Sequence, residues 1–147
     1  MCLYADVLIP YTLQSYHTYA ESSFRKNPIL KLIFEFSLKV IEYCDRLQNE
    51  KKFIVSNQLL RSGTSIGANA MEAQNAESKA DFIHKMKVAA KEADETFYWL
   101  MLCNYAPEYI DCEPLLDQMD IIGKMLNKIL ATSKRKNPVS YVLSFFL

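Results

Sequence analysis

Apolar side chains recur at spacings of three and four residues along most of the chain, as in amphipathic helices. The pattern predicts helices over about residues 29–49, 55–73, 78–103 and 111–133. Pro28 suits the first turn of the first helix, Ser78 is a candidate N-cap of the third, and Asn137-Pro138 follows the fourth. No segment alternates with period two, so no sheet is expected.

Each predicted helix carries one stripe of candidate core positions. They are Ile29, Ile33, Phe36, Val40, Cys44 and Leu47 in the first helix, Val55, Leu59, Ile66, Ala70 and Ala73 in the second, Phe82, Met86, Ala89, Ala90, Ala93, Phe97 and Leu100 in the third, and Leu115, Met119, Ile122, Leu126, Ile129 and Leu130 in the fourth. Short connections make neighbouring helices antiparallel. The sequence therefore predicts an all-α, up-down-up-down four-helix bundle over residues 28–134, with an N-terminal extension at 1–27 and a C-terminal tail at 135–147.

A polar stripe runs beside the core stripe of the second helix, where residues 61–72 read RSGTSIGANAME. At 100° per residue its members fall on one face; they are Arg61, Ser65, Asn69 and Glu72. Such a stripe is more often a satisfied polar network between helices or subunits than a ligand site. Gly63 and Gly67 each disfavour the helix by roughly 1 kcal/mol relative to alanine, which predicts a compensating tight helix contact.

The end of the third helix reads FYWLMLC and is apolar on every side. A helix that is apolar all round is buried all round. Within a four-helix bundle, only another subunit or a terminal extension can cover the outer side. We favour a subunit, and Tyr98, Trp99 and Leu102 are the candidate interface residues.

Charge and candidate chemistry add little to this picture. The 17 basic side chains balance the 17 acidic ones, which excludes the global basic bias of a nucleic-acid coat. The local candidates for nucleic-acid contact are Lys51, Lys52, Lys87 and Lys91. Glu92, Asp94 and Glu95 are expected to fan across a solvated surface. With two histidines in the chain and no second ligand helix, no metal site, cofactor or catalytic group is expected.

The four cysteines lack the close paired spacing of a metal site and are too few for a disulfide scaffold. They predict reduced thiols in a cytoplasmic protein. Residues 2–13 resemble a signal sequence only weakly, and the apolar tail VSYVLSFFL is too short to span a bilayer. Neither end predicts export or membrane insertion.

Residues 58–100, QLLRSGTSIGANAMEAQNAESKADFIHKMKVAAKEADETFYWL, carry a family resemblance. They resemble the bacterial four-helix-bundle proteins related to those encoded in intervening sequences of 23S ribosomal RNA, and the likeness extends over about residues 30–133. The family's recurrent helix-two residues correspond to Arg61, Ser65, Asn69 and Glu72, and its helix-three glutamate to Glu95; these five residues are the candidate structural polar seam. Gly67, Ala73 and Ala90-Lys91-Glu92 depart from the family pattern and indicate a sub-branch.

The resemblance implies a ring, typically a homopentamer, without established catalysis. Similarity to the accessory proteins of diversity-generating retroelements further implies binding of structured RNA and of a reverse transcriptase. The leading hypothesis is therefore a non-enzymatic, homo-oligomeric scaffold or accessory protein. A protein-binding module without a nucleic-acid role is the alternative, and an enzyme has little support. Residues 1–27 lie outside the likeness and are either a genuine extension or the product of an over-called start codon.

Overall fold

The computed structural model describes residues 26–135, which form four helices. Their bounds are Pro28–Asn49 (α1), Phe53–Gln74 (α2), Lys79–Tyr105 (α3) and Glu113–Lys134 (α4). No strand occurs in this range, and the all-α prediction is confirmed. The bounds differ from prediction mainly at α2, which begins two residues earlier, at α3, which ends two residues later, and at α4, which begins two residues later.

Local capping explains where α1 and α3 begin. The Asn27 side chain accepts a hydrogen bond from the backbone N–H of Ile29 at 3.2 Å, ahead of Pro28 in the first turn. The Ser78 hydroxyl accepts one from the backbone N–H of Asp81 at 3.1 Å. Both starts therefore satisfy a backbone donor that the helix leaves without a partner, as the sequence predicted for Ser78.

Consecutive helices pack against one another, and α4 packs against α1, in the predicted up-down-up-down order. At the end that we call the base, the Asn27 amide donates to the Gln74 side chain at 3.2 Å, and Lys79 Nζ donates to the Arg135 carbonyl at 2.8 Å. The opposite end, the apex, carries the α1–α2 turn and the α3–α4 loop. Both ends of the described chain therefore leave from the base.

The apex is tied together by side chains from three parts of the bundle. The Tyr43 hydroxyl donates to the Ile110 carbonyl at 2.7 Å. Lys52 Nζ lies 4.8 Å from the centre of the Tyr109 ring and 3.5 Å from the Glu108 carboxylate. These contacts hold the α3–α4 loop against α1 and the α1–α2 turn.

The core confirms nearly all of the predicted positions, with one clear error in α3. Phe97 was predicted to be buried but is 42% exposed, beside α4. The fully buried residue next to it is Thr96, whose hydroxyl donates to the Glu92 carbonyl at 2.7 Å. Because that bond satisfies the hydroxyl within the helix, threonine occupies the core position without an unpaired polar group. The remaining predicted positions that are only partly buried are Val55, Phe82, Ala90 and Ile129.

The predicted tight helix contact lies between α1 and α2. A Cβ atom at Gly63 would lie 2.9 Å from Val40 Cγ1, and one at Gly67 would lie 3.3 Å from Ile33 Cγ2. Towards the apex the two helices are also joined by the Ser56 hydroxyl, which donates to the Cys44 carbonyl at 3.0 Å. The two glycines thus allow an approach that a side chain at Gly63 would obstruct.

Within residues 26–135, no helix combines the length and the apolar character needed to cross a bilayer.

Candidate assembly surface

A polar seam joins the outer edges of α2 and α3. Arg61 of α2 bonds to two carboxylates of α3, Glu92 at 3.3 Å and Glu95 at a shorter distance. The indole N–H of Trp99 donates to the same Glu95 oxygen at 3.2 Å. Closer to the base, Lys85 of α3 pairs with Glu72 of α2. The seam therefore consists of two separate ion-pair clusters between the helices.

The charges in the seam stabilise one another. The hydrogen bond from Arg61, followed by that from Trp99, lowers the pKa of Glu95. The same bond raises the pKa of Arg61, and the Glu72 carboxylate raises the pKa of Lys85. Because the Arg61 side chain is half exposed, the pair contributes little to folding stability.

The seam differs from its sequence-based interpretation in two respects. Arg61 does not pair with Glu72, and Asn69 instead donates to the Ser65 carbonyl at 2.9 Å within α2. Glu92 and Glu95 were expected to point apart on a solvated surface, but both contact Arg61. The four-residue stripe on α2 is therefore divided between the two clusters and an intrahelical bond.

An apolar patch lies above the seam, on the outer side of the apex. On α3, Tyr98 is 57% exposed, Leu102 41% and Tyr105 76%, at spacings of four and three residues that align them on one face. The ion pairs between the antiparallel helices α2 and α3 show their register, which puts Ile54 of α2, 80% exposed, at the height of Leu102. These four residues, Ile54, Tyr98, Leu102 and Tyr105, form what we call the apical patch.

The three predicted interface candidates are placed differently from one another. Tyr98 and Leu102 lie in the patch, whereas Trp99 is half-buried at its edge, with its ring 5.6 Å from that of Tyr98 in an edge-on arrangement. Sequence reasoning missed Ile54, because the predicted helix began one residue later. It missed Tyr105 as well, although that residue lies seven positions after Tyr98 and so repeats its face.

The four candidate nucleic-acid lysines do not form one surface. Lys52 is only 24% exposed and is held by Glu108 and Tyr109, while Lys51 beside it has a left-handed backbone, with φ 62°. Lys87 and Lys91 are exposed on the lower half of α3. The pairs are therefore at different heights, and Lys51, Lys87 and Lys91 are exposed whereas Lys52 is partly buried.

Three cysteines of residues 26–135 are free and buried: Cys44, Cys103 and Cys112. Burial raises the pKa of Cys44 and of Cys112 to about 11, and it raises the pKa of Cys103 as well. These thiols are neutral at physiological pH and hence weak nucleophiles. In the same range, no group of three or more His, Cys, Asp or Glu side chains could hold a metal ion.

The fold places the chain in the class of antiparallel four-helix bundles. The chain belongs to the 23S rRNA-intervening sequence protein family, whose model matches residues 25–128. It is also similar to a protein of unknown function from the S23 ribosomal protein family of Bacteroides thetaiotaomicron. The two are 43% identical, the match covers 69% of this chain and 97% of that chain, and the TM-score is 0.66. No curated protein matches the chain.

The match to the family model confirms the predicted family. Residues beyond 128 lie outside the family match, as do those before 25.

Proposed function

We propose that this protein is a non-catalytic, homo-oligomeric scaffold whose subunits associate through the apical patch. The observation that carries the proposal is the exposure of Tyr98, Leu102 and Tyr105 on one face of α3, next to exposed Ile54. Contiguous exposed apolar surface on a soluble bundle usually marks an interaction site, and tyrosine is enriched where binding energy is concentrated.

The surroundings of the patch support an interface between proteins. The Arg61 guanidinium and the Glu95 carboxylate lie at its lower edge, where they provide a polar rim around an apolar centre. Family resemblance supplies the expected number of subunits, which is five in a closed ring.

Light scattering coupled to size-exclusion chromatography tests the proposal. The chain has a mass of 17.0 kDa, so a pentamer has a mass of about 85 kDa. The double substitution Tyr98→Glu and Leu102→Glu should reduce the mass to that of a monomer. His84→Glu is the matched control, because it places the same charge on the same exposed side of α3, outside the patch.

The two parts of the proposal fail separately. A monomeric parent at micromolar concentrations would refute self-association. A double variant that keeps the parent's mass would show that the chain associates through another surface. Circular dichroism on each variant establishes that the helices remain folded.

We extend the proposal to structured RNA as a ligand of the assembled ring, because Lys87 and Lys91 are exposed and repeat in every subunit. Repetition around a ring increases the avidity of a weak local site, and phosphate contacts make binding depend on salt. Fluorescence anisotropy with a hairpin RNA at low and high salt tests this. Lys87→Glu combined with Lys91→Glu should abolish binding, whereas Lys128→Glu, on exposed α4 surface, should retain most of it. If the parent binds no RNA, or binds it independently of salt, the RNA proposal is wrong. The second candidate, a protein-binding module without a nucleic-acid role, then remains.

A further inference from the structure

A second apolar surface lies between α1 and α2, on a different side of the bundle from the apical patch. It is a groove of about 230 Å³ lined by Leu30, Phe34, Ser37, Thr64, Gly67, Ala68 and Met71. Above it on α1, Leu38 and Ile41 are also exposed. The groove occupies the half of the bundle nearer the base, because its α1 residues are near the start of that helix and its α2 residues are near the end of theirs.

The groove is apolar because its polar atoms are already satisfied. Its floor is closely packed at Gly67, where a Cβ atom would lie 3.3 Å from Ile33 Cγ2. The Ser37 hydroxyl donates to the Ile33 carbonyl at 2.9 Å, and the Thr64 hydroxyl donates to the Leu60 carbonyl at 2.7 Å. A ligand for this groove therefore needs apolar side chains and gains nothing from polar ones.

We propose that the groove receives the end of the chain's own C-terminal segment, residues 139–147. That segment, VSYVLSFFL, has seven apolar residues among nine and carries no charged side chain. The segment lies outside the described residues and outside residues 25–128, which match the family model. The groove would therefore be covered by a segment that the family match does not include. Residues 1–25 are the rival segment, but they are longer and include Asp6, Glu21 and Arg25.

The position of the last described residue favours this occupant. The Arg135 carbonyl is held at the base by Lys79, and the groove begins at the same end. With helix axes about 8–10 Å apart, the path from α4 to the outer side of α1 and α2 is on the order of 20 Å. About six extended residues cover that distance at ~3.3 Å each, which leaves residues 142–147 for the groove.

The same distances disfavour the apical patch as the site for this segment. Tyr98 and Tyr105 lie roughly 28 and 39 Å along α3 from Lys79, at ~1.5 Å per residue. Residues 136–147 span at most about 40 Å when fully extended, so they would reach Tyr98 with few residues left to dock and would have to be almost straight to reach Tyr105. The groove is within easy reach, and the patch stays available for subunit contact.

A double-mutant cycle tests the docking in the full-length chain. Phe146→Glu should lower the melting temperature by roughly 2–4 °C, and so should Ala68→Glu, which introduces charge at the exposed edge of the groove. The double variant should melt no lower than either single variant, because each change already displaces the segment. Ser140→Glu, in the residues that cross to the groove, and Ala131→Glu, on the exposed surface of α4, are matched controls that should leave the melting temperature unchanged. Additive losses, or no loss from Phe146→Glu, would overturn the proposal.

Photo-crosslinking locates the segment directly. With p-benzoyl-L-phenylalanine in place of Phe146, irradiation should join the tail to the peptides that contain Phe34 or Met71, within a single chain and independently of concentration. Crosslinks to α3, crosslinks between chains, or no crosslink would each refute intramolecular docking in the groove. Because Tyr98→Glu does not touch the groove, this result is unaffected by the outcome of the assembly experiment.

Discussion

The substitution Gly63→Ala should destabilise the bundle, although alanine is the better helix former. Alanine is favoured over glycine inside a helix by about 1 kcal/mol. At this position, however, the new methyl group would lie 2.9 Å from Val40 Cγ1, 3.4 Å from Cγ2 and 3.5 Å from Cβ. Val40 is fully buried and branched at Cβ, so it cannot rotate away without moving another methyl group into the contact. Overpacking of this kind costs roughly 1–3 kcal/mol. The expected net loss is about 1 kcal/mol.

Gly123→Ala is the matched control, because the same substitution in α4 meets nothing within 4 Å. It should stabilise the protein by roughly 0.5–1 kcal/mol. Urea unfolding followed by circular dichroism, at one protein concentration, measures both variants. A Gly63→Ala variant at least as stable as the parent would refute the close α1–α2 contact.

Removing the obstructing methyl groups provides the sharper test. In a Val40→Ala background, Gly63→Ala should become stabilising, because only the gain in helix propensity remains. The two substitutions should therefore show a coupling free energy above about 1 kcal/mol. If Gly63→Ala costs the same in both backgrounds, its effect does not come from Val40.

Three further predictions follow from the caps, the seam and the thiols. Ser78→Ala should cost about 1 kcal/mol in urea unfolding, because it removes the hydroxyl that caps α3, and Ser78→Thr should cost much less. Arg61→Ala should raise the pKa of Glu95 towards the ordinary carboxyl value in an NMR titration, and an unchanged pKa would argue against the seam. In the parent, the ion pair's contribution to folding stability is present above the ordinary carboxyl pKa and is lost as the pH falls through the lowered pKa of Glu95. With the N-terminal cysteine replaced by serine, the buried thiols should resist a disulfide reagent at pH 8 until urea unfolds the chain. Rapid labelling of the folded protein would contradict this protection. Burial raises the pKa of Cys44 and Cys112 to about 11, so the free energy of unfolding should also fall from about pH 9 towards pH 11, because the thiols of the unfolded chain ionise first.

Much of the fold could be read from the sequence, because helix periodicity and capping are local. The pattern located four helices, and the glycines at positions 63 and 67 indicated a close contact. The sequence did not identify the partner helix, which the structure shows to be α1. The error at Phe97 has a physical cause: residue type favoured the aromatic ring for the core, whereas packing selected Thr96, whose polar atom is satisfied inside its own helix.

The candidate site was harder to predict, since it depends on how two helices are rotated against each other. A projection of α2 alone placed Arg61 and Glu72 on one stripe and suggested that they pair. A projection of α3 alone suggested that Glu92 and Glu95 face solvent. Only the α2–α3 register shows that Arg61 reaches both carboxylates. The same register puts Ile54 at the height of Leu102. Because the two residues are on different helices, the spacing of residues within one helix could not predict this.

Four antiparallel helices return the described chain to the end from which it started, so residues 26 and 135 both lie at the base, a bundle's length from Tyr105. A fluorescent protein or an enzyme fused directly to residue 26 or to residue 135 would therefore be carried on the side opposite the apical patch. If subunits associate through that patch, each would hold its cargo at the periphery of the assembly. The bundle would then serve as a multivalent display platform whose valency equals the number of its subunits.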